Sequence, residues 1–194
     1  MIIERWWPTP IWTDNVHFDT SKVASKCLRL REEGFPNREF SNVGGWQSRD
    51  INLDAHEEFH IIRDIIKQKT KDVCASISET FVCRLGNIWV NINDRDCRND
   101  IHRHPGSTIS GTIYLQTDEN CGNIVFYNVD SPMKHYTFLP GEKCNFFYDH
   151  VKYRPKNGMI IFFPSWLSHE VEPSGSDIPR ISMSFNLTQR YEGL

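Results

Sequence analysis

The stretch FVCRLGNIWVNIN, residues 81–93, marks a change of period in the chain. Before it, apolar residues recur at helical spacing. From it onward they come in short runs rich in Val, Ile and aromatic residues: TISGTIYLQ (108–116), GNIVFYN (122–128), HYTFL (135–139), CNFFYDHV (144–151), GMIIFFP (158–164), HEVEP (169–173) and RISMSFNL (180–187). Asn-, Gly-, Asp- and Pro-rich turns separate these runs, and no helical pattern intervenes. Short strands at this spacing predict an antiparallel sandwich or jelly roll. A sheet of this kind has an apolar face that something must cover.

The covering elements precede it. DTSKVASKCLRLREEG reads as a helix, with Asp19 or Thr20 as cap, Val23, Cys27 and Leu30 on one face and Gly34 at the end. A second helix is expected from Asp54, where Glu57 three residues on completes a capping-box pattern. Phe59, Ile62, Ile65 and Ile66 continue it at helical spacing to about Ile77. Between the two lies a loop, FPNREFSNVGGWQSRDINL, with Gly44-Gly45-Trp46 as a hinge carrying a large ring. The aromatic opening RWWPTPIW reads as an extended piece, because proline removes ladder donors. No repeat, linker or low-complexity stretch interrupts the chain. A single domain is expected over residues 1–194, with strand and helices in 1–80 and a jelly-roll core in 81–190.

Composition narrows the class. The 194 residues suit one domain with a real core, 39% hydrophobic and 24% charged. A net charge of −3 gives no basic footprint for nucleic acid. No apolar run approaches the roughly 18 residues of a membrane span, and the N-terminus lacks the pattern of a signal peptide. A cytoplasmic protein is expected, with its six cysteines as free thiols. None of them forms a CxxC pair, which argues against structural zinc. The assembly expected from base rates is a homodimer.

Three histidines raise the question of chemistry. His102 and His104 stand one residue apart before an alternating run, and His169 stands on a similar run further on. In extended chain, i and i+2 point the same way, so two imidazoles can aim at one point and a distant third can close a face. Neutral imidazole is the commonest protein metal ligand. Three ligands on one face leave positions free for substrate or O2, as in non-haem iron oxygenases. An H-x-H alone also fits a solvated loop around Arg103, and at this level both readings stand. His56 and His60, four apart on a helix, lack a third partner. Arg180 and Ser182 alternate on one strand face, where a guanidinium fork and a hydroxyl can anchor a carboxylate; an edge-strand surface charge is the alternative.

Taken in order, these residues resemble the iron(II)- and 2-oxoglutarate-dependent oxygenases of the double-stranded β-helix superfamily. The sequence is especially similar to a group frequent in marine bacteria and their phages. WWPTPIW, SNVGGWQS, HRHPGSTISGTIYLQ, GMIIFFPSWLSHEVEP and RISMSFN carry the likeness over residues 6–186. The resemblance implies Fe(II), 2-oxoglutarate and O2 as cofactors and cosubstrates. It also implies hydroxylation of an unactivated C–H, with release of succinate and CO2. By position, His102 and His169 match metal ligands, and Arg180 with Ser182 matches the anchor of the cosubstrate's far carboxylate. Tyr114, Ser110 and Asn93, with Asn91, match cosubstrate contacts.

The departure from the superfamily is His104, where a carboxylate is usual; His104 is the favoured third ligand, with Asp100 as the alternative. An aromatic wall of Trp46, Trp89, Phe126 and Trp166 would suit the site, but Trp89 and Phe126 are favoured as core residues; Trp46 and Trp166 are the expected substrate contacts, and Ser41–Asp50 the expected lid or substrate contact. The substrate, a small molecule or peptide, is not readable. The other reading is a cupin-type metal-binding protein or a three-histidine dioxygenase that uses no 2-oxoglutarate.

Overall fold

The computed structural model describes residues 8–128 and 149–190. The expected strands at 135–139 and most of 144–151 lie outside these, as do Trp6 and Trp7. The chain enters through β1 (Trp12–Asn15) and turns into α1 (Thr20–Glu32). Asp19 caps α1 by accepting from the backbone N–H groups of Ser21 and Lys22. At the other end Gly34 takes φ +74°. Phe35 N–H then bonds Leu30 O at 2.9 Å and Gly34 N–H bonds Arg31 O at 3.2 Å. This pair is the Schellman closure that glycine permits.

The loop after α1 is more ordered than its composition predicts. Asn42–Val43 (β2) and Trp46–Gln47 (β3) are short strands on opposite sides of the Gly44-Gly45 hinge. The second helix also begins differently from the capping-box reading. Two 3-10 turns, Leu53–Ala55 and Glu57–Phe59, precede α2 (His60–Ile77). Asn52 caps the first turn, and His56 is extended at φ −135°. Asp54 lies inside the first 3-10 turn, ahead of α2, and its carboxylate accepts from Arg63 Nη1 at 2.6 Å.

From residue 83 the chain is strand: β4 (Cys83–Asn93), β5 (Arg98–His102), β6 (Ile109–Gln116), β7 (Ile124–Tyr127), β8 (His150–Tyr153), β9 (Met159–Pro164), β10 (His169–Val171) and β11 (Arg180–Gln189). They form two antiparallel sheets. The larger runs β1-β9-β6-β11-β4-β3 and the smaller β2-β5-β10-β7-β8. Thus β2 and β3, joined by two glycines, carry the chain from an edge of one sheet to an edge of the other. This is the antiparallel jelly roll expected from the spacing of strands, in the double-stranded β-helix form that the resemblance implies.

The larger sheet buries both of its faces, and they differ in chemistry. Ile88, Val90 and Ile92 of β4, Ile109, Ile113 and Leu115 of β6, and Ile181, Met183, Phe185 and Leu187 of β11 form one core with Val23, Cys27 and Leu30 of α1 and Ile62, Ile66 and Val73 of α2. The helices pack on this face. Side chains alternate along a strand, so the residues between these point the other way. They are Asn87, Trp89, Asn91 and Asn93 on β4, Arg180, Ser182, Ser184 and Asn186 on β11, and Thr112 and Tyr114 on β6. All of them line a cavity of about 610 Å³ between the sheets. A smaller apolar cluster, including Phe126, Ile161, Phe163 and Leu167, closes one side. The five cysteines among the described residues are free, and none of the described helices is long and apolar enough to cross a membrane.

Candidate active site

His102 and His169 meet by strand register. β5 and β10 are antiparallel neighbours, and the two residues lie directly opposite. His104 follows the end of β5 in a turn pinned by its N–H to Ser165 O at 2.9 Å. Ring centroids are 4.2 Å apart for His102 and His169, 5.2 Å for His102 and His104, and 5.0 Å for His104 and His169. One nitrogen from each lies within 4.8 Å of the others. The three expected residues therefore converge, and no carboxylate joins the group among the described residues. Asp100, the alternative, bonds Arg98 Nε at 2.8 Å and is not part of the cluster. His56 sits edge-on to Phe59, away from the cavity.

The backbone and neighbouring side chains fix each ring. Nδ1 of His102 lies 2.7 Å from Asp100 O and Nδ1 of His169 lies 2.9 Å from Leu167 O. A carbonyl oxygen only accepts, so both Nδ1 atoms carry the proton and both Nε2 atoms keep a lone pair. Nδ1 of His104 lies 2.7 Å from Asn186 Oδ1 and 2.8 Å from Ser110 Oγ. Phe163 and Phe126 pack against His169, and Trp89 stands edge-on to His104 at 5.7 Å. Burial lowers the pKa of all three rings. His104 falls to about 4, with His102 adding to the effect, and His169, 3% exposed, goes well below the usual histidine value. Three neutral imidazoles that converge are a donor set for a divalent cation, with the Ser41 hydroxyl 3.4 Å from His102 Nε2.

A buried cation, Arg180, also lines the cavity. Arg180, 2% exposed, opens β11 opposite Asn93, and Ser182 lies between Asn91 and Tyr114 in register. Nη1 of Arg180 donates to the carbonyl oxygens of Cys121 and Glu172, while Nη2 is buried with no partner. Burial pushes the guanidinium pKa down, with Tyr114, Cys121 and Cys97 opposing. No acidic side chain pairs with Arg180 among the described residues. The Glu172 carboxylate instead holds Asn123 and Lys152. Burial also raises the Tyr114 pKa, so its phenol is neutral.

The remaining expected residues divide. Asn91, Asn93, Tyr114 and Ser182 line the cavity; Ser110 stands behind His104, bonded to it, to Asn186 and to Ser165. Trp89 lines the cavity. Trp46 packs against the helix–sheet core, and Trp166 is 55% exposed; neither lines the cavity. At the mouth, Arg38 stacks on Phe40 and Trp89 at 5.0 and 5.4 Å. Asn186, Asn87 and Arg38 do not stand out in the sequence reading. Asn186 was within reach, six residues beyond Arg180 on the same face of its strand.

A sheet sandwich enclosing a histidine cluster and a buried arginine defines a metal-dependent enzyme class. Residues 87–186, just over half of the chain, match the family described as "Putative 2OG-Fe(II) oxygenase". The chain belongs to this family, whose members use iron(II), 2-oxoglutarate and O2. No curated protein matches the sequence.

Solved structures share the fold. A Pseudomonas putida prolyl-4-hydroxylase has a TM-score of 0.69 at 14% identity, covering 94% of each chain. The Trichoplax adhaerens prolyl hydroxylase, solved with a hypoxia-inducible-factor peptide fragment, has 0.67 at 15%, covering 92% of this chain and 83% of that one. HygX from Streptomyces hygroscopicus, with nickel and 2-oxoglutarate bound, has 0.62 at 12%, covering 93% and 83%.

Proposed function

We propose that His102, His104 and His169 hold iron(II) through Nε2, and that Arg180 with Ser182 holds the far carboxylate of 2-oxoglutarate. The reaction is hydroxylation of a C–H bond in a small molecule or peptide. One observation carries this reading: a buried guanidinium that, among the described residues, has an unpartnered Nη2 and no acid beside it, in the cavity that the histidines share. An uncompensated buried cation costs several kcal/mol, and a dicarboxylate cosubstrate supplies the missing charge. A dioxygenase that uses no 2-oxoglutarate has no need of this residue.

When bound, iron(II) with 2-oxoglutarate and O2 supplies the oxidising power that turns R–H into R–OH, with succinate and CO2 as the other products. The protein supplies position and dryness. The carbonyls of Asp100 and Leu167 hold two rings with their lone pairs inward. Tyr114 and Asn93 offer neutral hydrogen bonds beside Arg180. Trp89, Phe126 and Phe163 pack around the imidazoles and keep water away, which strengthens electrostatic contacts.

The breadth of activity among proteins of this fold leaves the substrate open: two of the similar structures are prolyl hydroxylases by name. A cytoplasmic setting is part of this proposal, and the five cysteines among the described residues are free. The test is succinate formation from 2-oxoglutarate with iron(II). Turnover that is unchanged in His169→Ala would sink the assignment.

A further inference from the structure

His104 stands where the superfamily usually places a carboxylate, so the position lacks a negative charge. A chain of hydrogen bonds runs from it to one. His104 Nδ1 lies 2.7 Å from Asn186 Oδ1. Asn186 Nδ2 donates to Asn87 Oδ1 at 3.1 Å. Asn87 Nδ2 donates to Asp50 Oδ1 at 3.2 Å. Asp50 is held in turn by Arg38 Nη2 at 3.0 Å. The chain joins the turn after β5, the strands β11 and β4, and the loop after β3.

The far end decides the direction of the whole chain. A carboxylate only accepts hydrogen bonds, whereas an amide can face either way. With Asp50 at the terminus, Asn87 must turn its NH2 outward and its oxygen inward. Asn186 must then do the same, so His104 must carry its proton on Nδ1. The reverse orientation would set the Asn87 oxygen against the carboxylate. We infer that Asp50, acting through Asn87 and Asn186, fixes the tautomer of His104 and raises the donor strength of its Nε2, partly replacing the carboxylate that the site lacks.

Hydrogen bonds in series polarise one another, and a metal-binding histidine is a better donor when its other nitrogen gives its proton to an acceptor. Asp50 is about half exposed, with 54% of its side chain accessible. Its charge therefore acts through the oriented amides and not through space. Asp50, Asn87 and Asn186 are positioning residues. The inference rests on the metal site proposed above.

Ring 15N–1H correlation spectra of the metal-free protein at neutral pH read the tautomer directly. Wild-type His104 should be protonated on Nδ1 alone. In Asp50→Ala the chain loses its terminal acceptor and Asn87 can face either way, so a second tautomer should appear. Cobalt(II) affinity should fall on the order of 10-fold, the lower end for loss of an outer partner of a ligand. Adding Asn186→Asp puts a carboxylate directly against Nδ1, and should restore both the single tautomer and the cobalt(II) affinity. An unchanged His104 spectrum in Asp50→Ala, or no rescue in the double variant, overturns the inference. Failure of the underlying site looks different: wild-type protein with the expected tautomer that binds no cobalt(II) overturns the proposed metal centre.

Discussion

Replacing Arg180 with methionine separates a cosubstrate anchor from a structural brace, because the two roles give opposite signs. Methionine fills similar space with an adaptable, uncharged chain. In the free protein the change removes a buried cation that has no acid partner among the described residues, a relief of several kcal/mol. It also strands the carbonyls of Cys121 and Glu172 that Nη1 now serves, a cost of about 1–3 kcal/mol for buried groups left unmade. The ligand-free variant is therefore expected to melt no lower than wild type.

Binding tells the other half. Removing one member of a buried charge pair costs about 2–5 kcal/mol, so the 2-oxoglutarate Kd should rise about 30- to 5,000-fold. The assay is thermal melting with nickel(II) as an inert metal, with and without 2-oxoglutarate, alongside calorimetric titration. In wild type, ligand at 100 times Kd stabilises by about 2.7 kcal/mol. For a chain of this size that raises Tm by about 5–11 °C. In Arg180→Met, at the same ligand concentration, that rise should shrink to no more than about 2–4 °C. A variant that loses Tm without ligand yet keeps the full 2-oxoglutarate shift would refute the reasoning.

Further substitutions probe other parts of the argument. His169→Ala removes one of three converging rings, and nickel(II) binding by calorimetry should drop below detection at micromolar protein while the fold persists. Gly122→Ala should cost about 1–3 kcal/mol, read by chemical denaturation. The residue sits at φ +79°, and its new methyl would meet Glu172 O and stand 2.8 Å from Pro173 O. The same change displaces Cys121 O, so 2-oxoglutarate affinity should fall with it. Ile62→Ala, in the fully buried face of α2, should cost about 2–5 kcal/mol and leave the 2-oxoglutarate shift in Tm intact.

Much of the fold was legible because a period-2 pattern speaks for itself, and β4, β6, β7, β9 and β11 fall on the runs that suggested them. β5 was missed because Arg98, Asn99 and Asp100 carry no apolar alternation; its place comes from pairing with β10 and β2. The strands β2 and β3 are two residues each and exist only through partners more than forty residues away. The capping box at Asp54 failed because residue 54 falls inside a 3-10 turn and α2 begins only at His60.

In the site, the convergence of His102 with His169 was a guess that register made definite. The path from Asp50 to His104 was invisible, because it links residues 37 and 99 apart in sequence. Trp46 and Trp166 show that ring size alone does not say which wall a ring belongs to.

The two-sided sheet has an evolutionary corollary. Its oily side is sealed against the helices, and its wet side forms the reaction chamber, with the two sets of residues interleaved one by one along the same strands. Swapping alternate positions on β4, β6 and β11 can thus re-cut the chamber while every neighbour stays seated in the scaffold. Substrate choice and foldedness are free to drift apart in such an architecture, each with its own half of the alphabet.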